Sequence, residues 1–397
     1  MRVHNDIMLA LNDKNDVILV LLDLSAAFET LDLNVLLRRL EHRFGIKGSV
    51  LDWFKSYLCN RTQFVRTDSS HTSQESSVDC GVPQGTVCGP TLFTLYTAPL
   101  EDIIIKHGLD YMLFADDTQL YFVCKKPSTV QNAIEACIEE IRLWMASNLL
   151  VLNDDKTEVI QFSSRFRKDG EKLVSLGVGG LDITPSESVR NLGVFFDNDG
   201  GMSSHINHVC KTAYHSLFRI GKIRSLLSQS STEKLVHAFI TSRLDYCNSL
   251  FIGLPEKDIK KLQSIQNSAA KLVTRSKKFD HVQPILHDLH WLKVEHRIEF
   301  KILLLTFKIL QGNCPVYLRE LISVYTPGKR GLRSANHLEL RRRDSKRTNC
   351  TYGQRAFSIA APRLWNDLPI FIRVSENVET FKRNLKTHLF RKQFNLM

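Results

Sequence analysis

Residues 111–122 read YMLFADDTQLYF. Apolar residues flank Ala115-Asp116-Asp117-Thr118 on both sides, which predicts a β-hairpin carrying two acids at its turn. Upstream, residues 17–22 (VILVLL) form a short β-branched and apolar run that ends on Asp23. That pattern predicts a buried strand with an acid at its C-terminal edge. Where these strands are neighbours, the carboxylates of Asp23, Asp116 and Asp117 meet at one edge of a sheet. Like charges that close repel unless hard cations neutralise them. Such oxygen ligands suit Mg2+, and two such ions about 3.5–4 Å apart stabilise both oxygens of an in-line phosphoryl displacement. Each piece alone has an ordinary explanation, since a pair of Asp in a turn is common turn chemistry.

Outward from these strands, periodicity predicts helices over 34–44, 51–58, 91–105 and 130–149. The last carries Ile134, Cys137, Ile138, Ile141 and Trp144–Met145 on one stripe. Residues 67–77 are polar and read as a loop or hairpin tip. Short strands are predicted over 159–162 and 189–196, around a glycine-rich stretch at 163–188. From about Ser203 the pattern becomes helical, over 204–227, 256–273, 291–310 and 378–390. Ser230-Ser231-Thr232-Glu233 has the form of a capping box for a further helix. No internal repeat is evident.

The 397 residues predict two or three domains, and 43% hydrophobic content supplies ordinary cores. No run of about 18 apolar residues occurs, so no transmembrane helix is expected. The first residues lack the apolar run of a secretory signal. Nine scattered cysteines include no C-x-x-C, which argues against zinc ribbons and for reduced thiols in a nuclear or cytoplasmic protein. The net charge of +11 is unevenly placed. Residues 1–200 hold 19 Lys and Arg against 28 acids, and residues 201–397 hold 34 against 14. An acidic half suited to cations therefore precedes a basic half suited to a polyanion.

Two further segments stand out. In Gly81-Val82-Pro83-Gln84-Gly85 the glycines allow close backbone approach, and Gln84 offers donor and acceptor. Leu152-Asn153-Asp154-Asp155-Lys156-Thr157-Glu158 adds a lysine among acids. In order and spacing, LLDLSAAFETLD (21–32), GVPQGTVCGPTLF (81–93), LFADDTQLY (113–121), LNDDKTEVI (152–160) and NLGVFFD (191–197) resemble successive motifs of reverse transcriptases. The match is closest to those of non-long-terminal-repeat, jockey-like retrotransposons. SRLDYCNSLFIGLP (242–255) and the final 110 residues resemble that family's C-terminal region.

The resemblance implies an α+β polymerase palm, an antiparallel sheet with backing helices, followed by a helical thumb and C-terminal region. The corresponding domains are 1–200 (palm with a remnant of fingers), 201–275 (thumb) and 276–397 (basic, mostly helical). By resemblance, Asp23 and Asp116 bind two Mg2+ ions, with Mn2+ as a substitute. Asp117 is more peripheral, and the Leu24 carbonyl also touches a metal. Phe28 packs under the sugar and excludes a 2′-hydroxyl. Pro83, Gln84 and Gly85 line the incoming nucleotide, Lys156 protonates pyrophosphate, and Gly193 and Val194 grip the primer. The implied partners are an RNA template, a DNA primer and deoxynucleoside triphosphates, with no membrane; the oligomeric state is left open.

Glu29, Leu33, Asp154, Thr86, Cys88 and Thr91 depart from the residues usual at their places, and none removes a metal ligand. Only 22 residues precede Asp23, with Arg2 and Lys14 as cations. The expectation is therefore a chain that begins just before the palm motif and binds triphosphate weakly. Two other readings stand beside polymerase activity: a non-catalytic nucleic-acid-binding remnant, and a metal-dependent nuclease, which lacks the further compact acidic motif it needs. The basic stretch 329–347 reads as a nucleic-acid contact, a solvated loop or a nuclear-localisation patch. Trp291 and Trp365, among apolar neighbours, read as core.

Overall fold

The computed structural model describes residues 1–25, 28–68, 71–83, 85–167, 170–325, 338–342 and 351–396. They form two compact units. One gathers 16–162 and 167–192; the other gathers 1–15, 163–166 and 193–397. The helical segments 201–275 and 276–397 lie in the same unit, together with an N-terminal helix, Arg2–Asn12.

The first unit is built on β1 (Asp16–Ser25). A small hairpin of β2 (Arg61–Gln63) and β3 (Ser76–Val78) carries the polar stretch at its tip. The strands β4 (Asp110–Phe114), β5 (Asp117–Cys124) and β6 (Val151–Phe162) join β1 in a sheet of order β4-β5-β1-β6. Every pairing is antiparallel. A central strand flanked on both sides explains the near-continuous apolar run of 17–22. Successive side chains alternate between faces. Ile18, Val20, Leu22 and Leu24 join a core that includes Leu36, Phe93 and Ile138 from the backing helices. Each such side chain contributes roughly 1.5–3 kcal/mol by leaving water. Leu19, Leu21 and Asp23 therefore point to the opposite face.

The backing helices follow from local chemistry. Asp32 caps the Leu33–His42 helix by accepting from the N–H groups of Asn34 (2.8 Å) and Val35 (3.0 Å). The Gln131–Ser147 helix buries Ile134, Cys137, Ile138, Ile141 and Met145, as its stripe predicts. The helix predicted over 91–105 is two helices, Gly89–Thr97 and Leu100–Lys106. Pro99 separates them, because it lacks an N–H and its ring obstructs the preceding turn. The strand predicted from 159 begins eight residues earlier. Its polar residues lie on an edge strand, where charge is tolerated. The glycine-rich stretch contains β7 (Leu176–Val178), β8 (Leu181–Ile183) and then β9 (Ser188–Asn191).

In the second unit, the main helices are Ser203–Ile223, Glu256–Thr274, Val294–Leu310 and Val378–Phe394. Phe307, Trp365 and Phe381 form its aromatic centre, with the Phe307 and Phe381 rings stacked at 4.2 Å. Trp365 is fully buried and Trp291 nearly so, as read from their neighbours. The cap of the Gln229–Val236 helix is Ser228, whose side chain accepts from Ser231 N–H; the predicted Ser230 lies inside the helix. Of the basic stretch 329–347 only 338–342 are described, so the readings of the rest fall outside the described residues. All described cysteines are free thiols, and no described helix is long and apolar enough to cross a membrane.

This unit carries a pH dependence. His205 is buried, and the Phe195 N–H points at its Nδ1 (3.5 Å), which requires an unprotonated nitrogen there. Burial, and then the charge of His208, push its pKa down to about 4. The folded pKa lies below the unfolded one, so the stabilisation is complete above about pH 6.5 and is lost as pH falls toward about 4. Urea unfolding should show a loss of about 2–3 kcal/mol over that range, after allowance for partial screening. His205→Gln should make the slope shallower; an unchanged slope would refute the assignment.

Candidate active site

The acidic hairpin has the tightest possible turn. Phe114 pairs with Asp117, leaving Ala115 and Asp116 as the two turn residues. Ala115 has φ 52°, a left-handed value at a turn position usually given to glycine. A side chain there costs about 1–2 kcal/mol. Ala115→Gly should therefore raise the unfolding free energy by roughly 0.5–1 kcal/mol, less than the full strain because glycine also loosens the unfolded chain. Chemical denaturation checks this, and a destabilised variant would refute it.

The β1–β5 register runs through Leu22 opposite Thr118. One step further brings Asp23 opposite Asp117, on the face away from the helical core. Asp116 stands beside them on the turn. The Asp117 carboxyl is held above its ordinary range, first by partial shielding from water, then by the charges of Asp116 and Asp23. The three acids named from the sequence are thus close enough to feel one another.

On the other side of β1, the pairing with β6 is broken. Leu21 faces Glu158 and Asp23 faces Asn153, so the four residues Asp154–Thr157 stand against Leu22 alone. A bulge of this kind bends a strand and re-aims its side chains. Here it brings Lys156 Nζ to 3.1 Å from Asp23 Oδ2. The bulge is anchored from behind. Arg142, on the Gln131–Ser147 helix, grips Asp154 with both guanidinium nitrogens, at 2.9 and 2.6 Å. Gly179, in the β7–β8 turn, leaves room for that pair; a Cβ there would collide with both partners. The result is a cleft of about 350 Å3 lined by Asp23, Asp117, Lys156, Glu158, Arg190 and Asn191. Asn191 donates to Gln119 Oε1 (2.9 Å) and so ties β9 to β5.

The Gly81–Gly85 loop is stitched to the segment after β1. Gly81 N–H donates to Leu31 O (2.8 Å), and Val82 N–H to Phe28 O (2.9 Å). Arg61 donates to the carbonyls of Leu58 and Cys80 and also reaches that of Gly81. Phe28 is half-buried, with its ring 4.9 Å from that of Phe93. Pro83 accepts from the Thr86 hydroxyl (2.8 Å), and Gly85 has φ 74° with open space around it. Gln84 lies outside the described residues. The Leu24 side chain is buried on the core face, which leaves only its backbone for the site. Gly193 and Val194 belong to the other compact unit. There Gly193 takes φ 80° and packs near the Tyr246 ring, and Val194 is buried in the strand Val194–Asp197.

The structure therefore brings Asp23, Asp116, Asp117 and Lys156 together in one unit. Sequence reading missed Arg142, Arg190 and Glu158 as neighbours of the site. Only the spacing of Glu158 two residues after Lys156 hinted at it. Among the described residues no group of three His, Cys, Asp or Glu side chains forms a ready metal cage.

Residues 3–196 match the family model described as reverse transcriptase (RNA-dependent DNA polymerase). The probable RNA-directed DNA polymerase from transposon X-element of Drosophila melanogaster is 26% identical over 227 residues, 55% of this chain and 24% of that protein. The corresponding protein from transposon BS of the same species is 23% identical over 308 residues, 75% of this chain and 33% of that one. Among solved structures, apo telomerase from Candida tropicalis gives a TM-score of 0.36 at 10% identity, covering 72% of this chain and 52% of that one. The chain spans a quarter to a third of the length of these two Drosophila relatives. Reverse transcriptases generally use divalent metal ions. With its acidic hairpin opposite an acid-ending strand, and with relatives among non-long-terminal-repeat retrotransposon polymerases, residues 3–196 of the chain are identified as a reverse transcriptase domain.

Proposed function

We propose that this chain is the polymerase part of a retrotransposon reverse transcriptase, working in the nucleus or cytoplasm. It would extend a DNA primer on an RNA template. The primer 3′-hydroxyl attacks the α-phosphate of a deoxynucleoside triphosphate; a P–O bond forms to the primer and pyrophosphate leaves. The observation that carries this reading is the convergence of Asp23, Asp116 and Asp117 with Lys156 at one sheet edge.

The donor set fits Mg2+, or Mn2+ in its place. It is all oxygen, and the raised Asp117 carboxyl marks a place that favours added positive charge. Mg2+ typically takes one or two carboxylates plus substrate phosphates and water, so a ready protein cage is not required. Asp23 and Asp116 would hold it, with Asp117 and the Leu24 carbonyl adjoining. When bound, such ions stabilise charge on the attacking and leaving oxygens. The remaining work belongs to this chain's own residues. Lys156, already within reach of Asp23, would deliver a proton to pyrophosphate. The Phe28 ring would exclude a ribose 2′-hydroxyl. Pro83, Gln84 and Gly85 would border the incoming nucleotide, and Gly193 and Val194 the primer end. The basic half would follow nucleic-acid phosphates through salt-sensitive contacts.

The test is primer extension on an RNA template with Mg2+, comparing wild type with Asp116→Ala. Incorporation by wild type no greater than by the variant would overturn the reading. The Lys156–Asp23 ion pair also favours a second reading, since an ammonium there neutralises the carboxylate without any metal. On that reading the chain is a non-catalytic nucleic-acid binder. It would bind RNA–DNA duplex in a salt-dependent way and extend nothing.

A further inference from the structure

We propose that the helical unit holds a second, nucleotide-binding cleft, which takes a base inward and its phosphate at the mouth. The cleft has a volume of about 410 Å3, and all its lining residues belong to that one unit. Ligand sites of this size are typically apolar with a few placed polar groups. Trp291 and Phe300 supply flat apolar wall, and the His237 ring lies 5.3 Å from that of Trp291.

The polar group is defined by its neighbours. Arg297 grips the Asp245 carboxylate through Nε (2.8 Å) and Nη2. A carboxylate so paired only accepts hydrogen bonds. Asn248 therefore turns its amide nitrogen toward Asp245 Oδ1 (3.3 Å). That orientation leaves Asn248 Oδ1 without a partner, on a residue only 3% exposed. A buried acceptor in a cleft wall calls for an N–H from the occupant. Lys301 and Lys386 also line the cleft, and neither has an acidic partner among the described residues. An apolar occupant would leave Asn248 unpaired, and a water molecule would leave the aromatic wall and both ammonium groups unused. A nucleotide satisfies all three features: a flat base, an amino or imino N–H on its edge, and an anionic phosphate. The source is either a free nucleotide or one unit of a single strand. This inference does not depend on the polymerase reading.

The experiment is calorimetric titration of the full chain with ribonucleoside monophosphates, with ribose 5-phosphate as the base-free probe. Monophosphates should bind at least about fivefold more tightly than ribose 5-phosphate. Binding should weaken about tenfold in the Lys301→Gln/Lys386→Gln variant and again in Asn248→Ser, and persist in Asp116→Ala. If Asn248→Ser melts early, the lysine variant decides, because its substitutions spare the core. Equal binding of ribose 5-phosphate, or binding unmoved by the lysine changes, would overturn the proposal. A ten-nucleotide single-stranded RNA that binds more tightly than the monophosphates, with the same sensitivity to both variants, identifies the strand as the source. Equal affinity identifies the free nucleotide.

Discussion

Asp23→Ala and Asp116→Ala are each expected to lower nucleotide incorporation by at least about a thousandfold. Each removes a carboxylate proposed to hold a divalent ion, and the ions supply several kcal/mol of charge stabilisation in phosphoryl transfer. Asp117→Asn should cost far less, on the order of tenfold, if Asp117 only adjoins the ions. The contrast is sharp because the β1–β5 register, continued one step past Leu22 and Thr118, sets Asp117 rather than Asp116 across from Asp23. A thousandfold loss in Asp117→Asn with little loss in Asp116→Ala would exchange the two roles. Stability supplies an independent readout. The three acids repel one another, as the raised Asp117 carboxyl records. Deleting one should therefore leave the melting temperature unchanged or higher. A variant that lost activity by unfolding would instead melt early.

Gly81→Ala is expected to destabilise its unit by about 3–5 kcal/mol, at the upper end of single-residue effects. Two costs add. Gly81 has φ 73°, where a side chain costs about 1–2 kcal/mol. An added Cβ would also lie 2.5 Å from Glu29 O and 2.8 Å from Phe28 O. Both are backbone atoms and cannot swing aside. Relief would require the loop to leave the segment after β1, breaking the bonds from Gly81 to Leu31 and from Val82 to Phe28. Gly85→Ala is the control. Its φ is 74°, but nothing lies within 4 Å of its added Cβ. It should cost only about 1–2 kcal/mol. Urea unfolding of the two variants separates crowding from backbone strain. Equal losses would show that crowding contributes nothing.

What could be read from sequence was what neighbours in the chain decide. The run at 17–22, the hairpin turn near Asp116 and Asp117 and the stripe from Ile134 to Met145 carry their own local pattern, and each became the element it indicated, although the turn closes at Ala115–Asp116 and leaves Asp117 as the first residue of β5. The start of β6 was hidden because Asp154, Asp155 and Lys156 break the alternation that marks a strand, and a bulge is what makes them fit. The break at Pro99 was legible in principle, but the apolar residues on both sides masked it. The cap at Ser228 lost to a better-looking tetrapeptide two residues on. For the site, local motifs named Asp23, Asp116, Asp117 and Lys156. They could not name Arg142 or Arg190, which owe their place to packing between distant segments rather than to any pattern around them.

The four-against-one mismatch in β6 separates two quantities that a regular strand would lock together. In an unbroken ladder, gaining or losing one residue turns every later side chain to the wrong side of the sheet. Slack at 154–157 can take up such a change before it reaches Val159, Ile160 and Phe162, which stay buried. The distance over which the ammonium reaches its carboxylate is thus set by loop length, and can be adjusted without disturbing the hydrophobic packing beneath it.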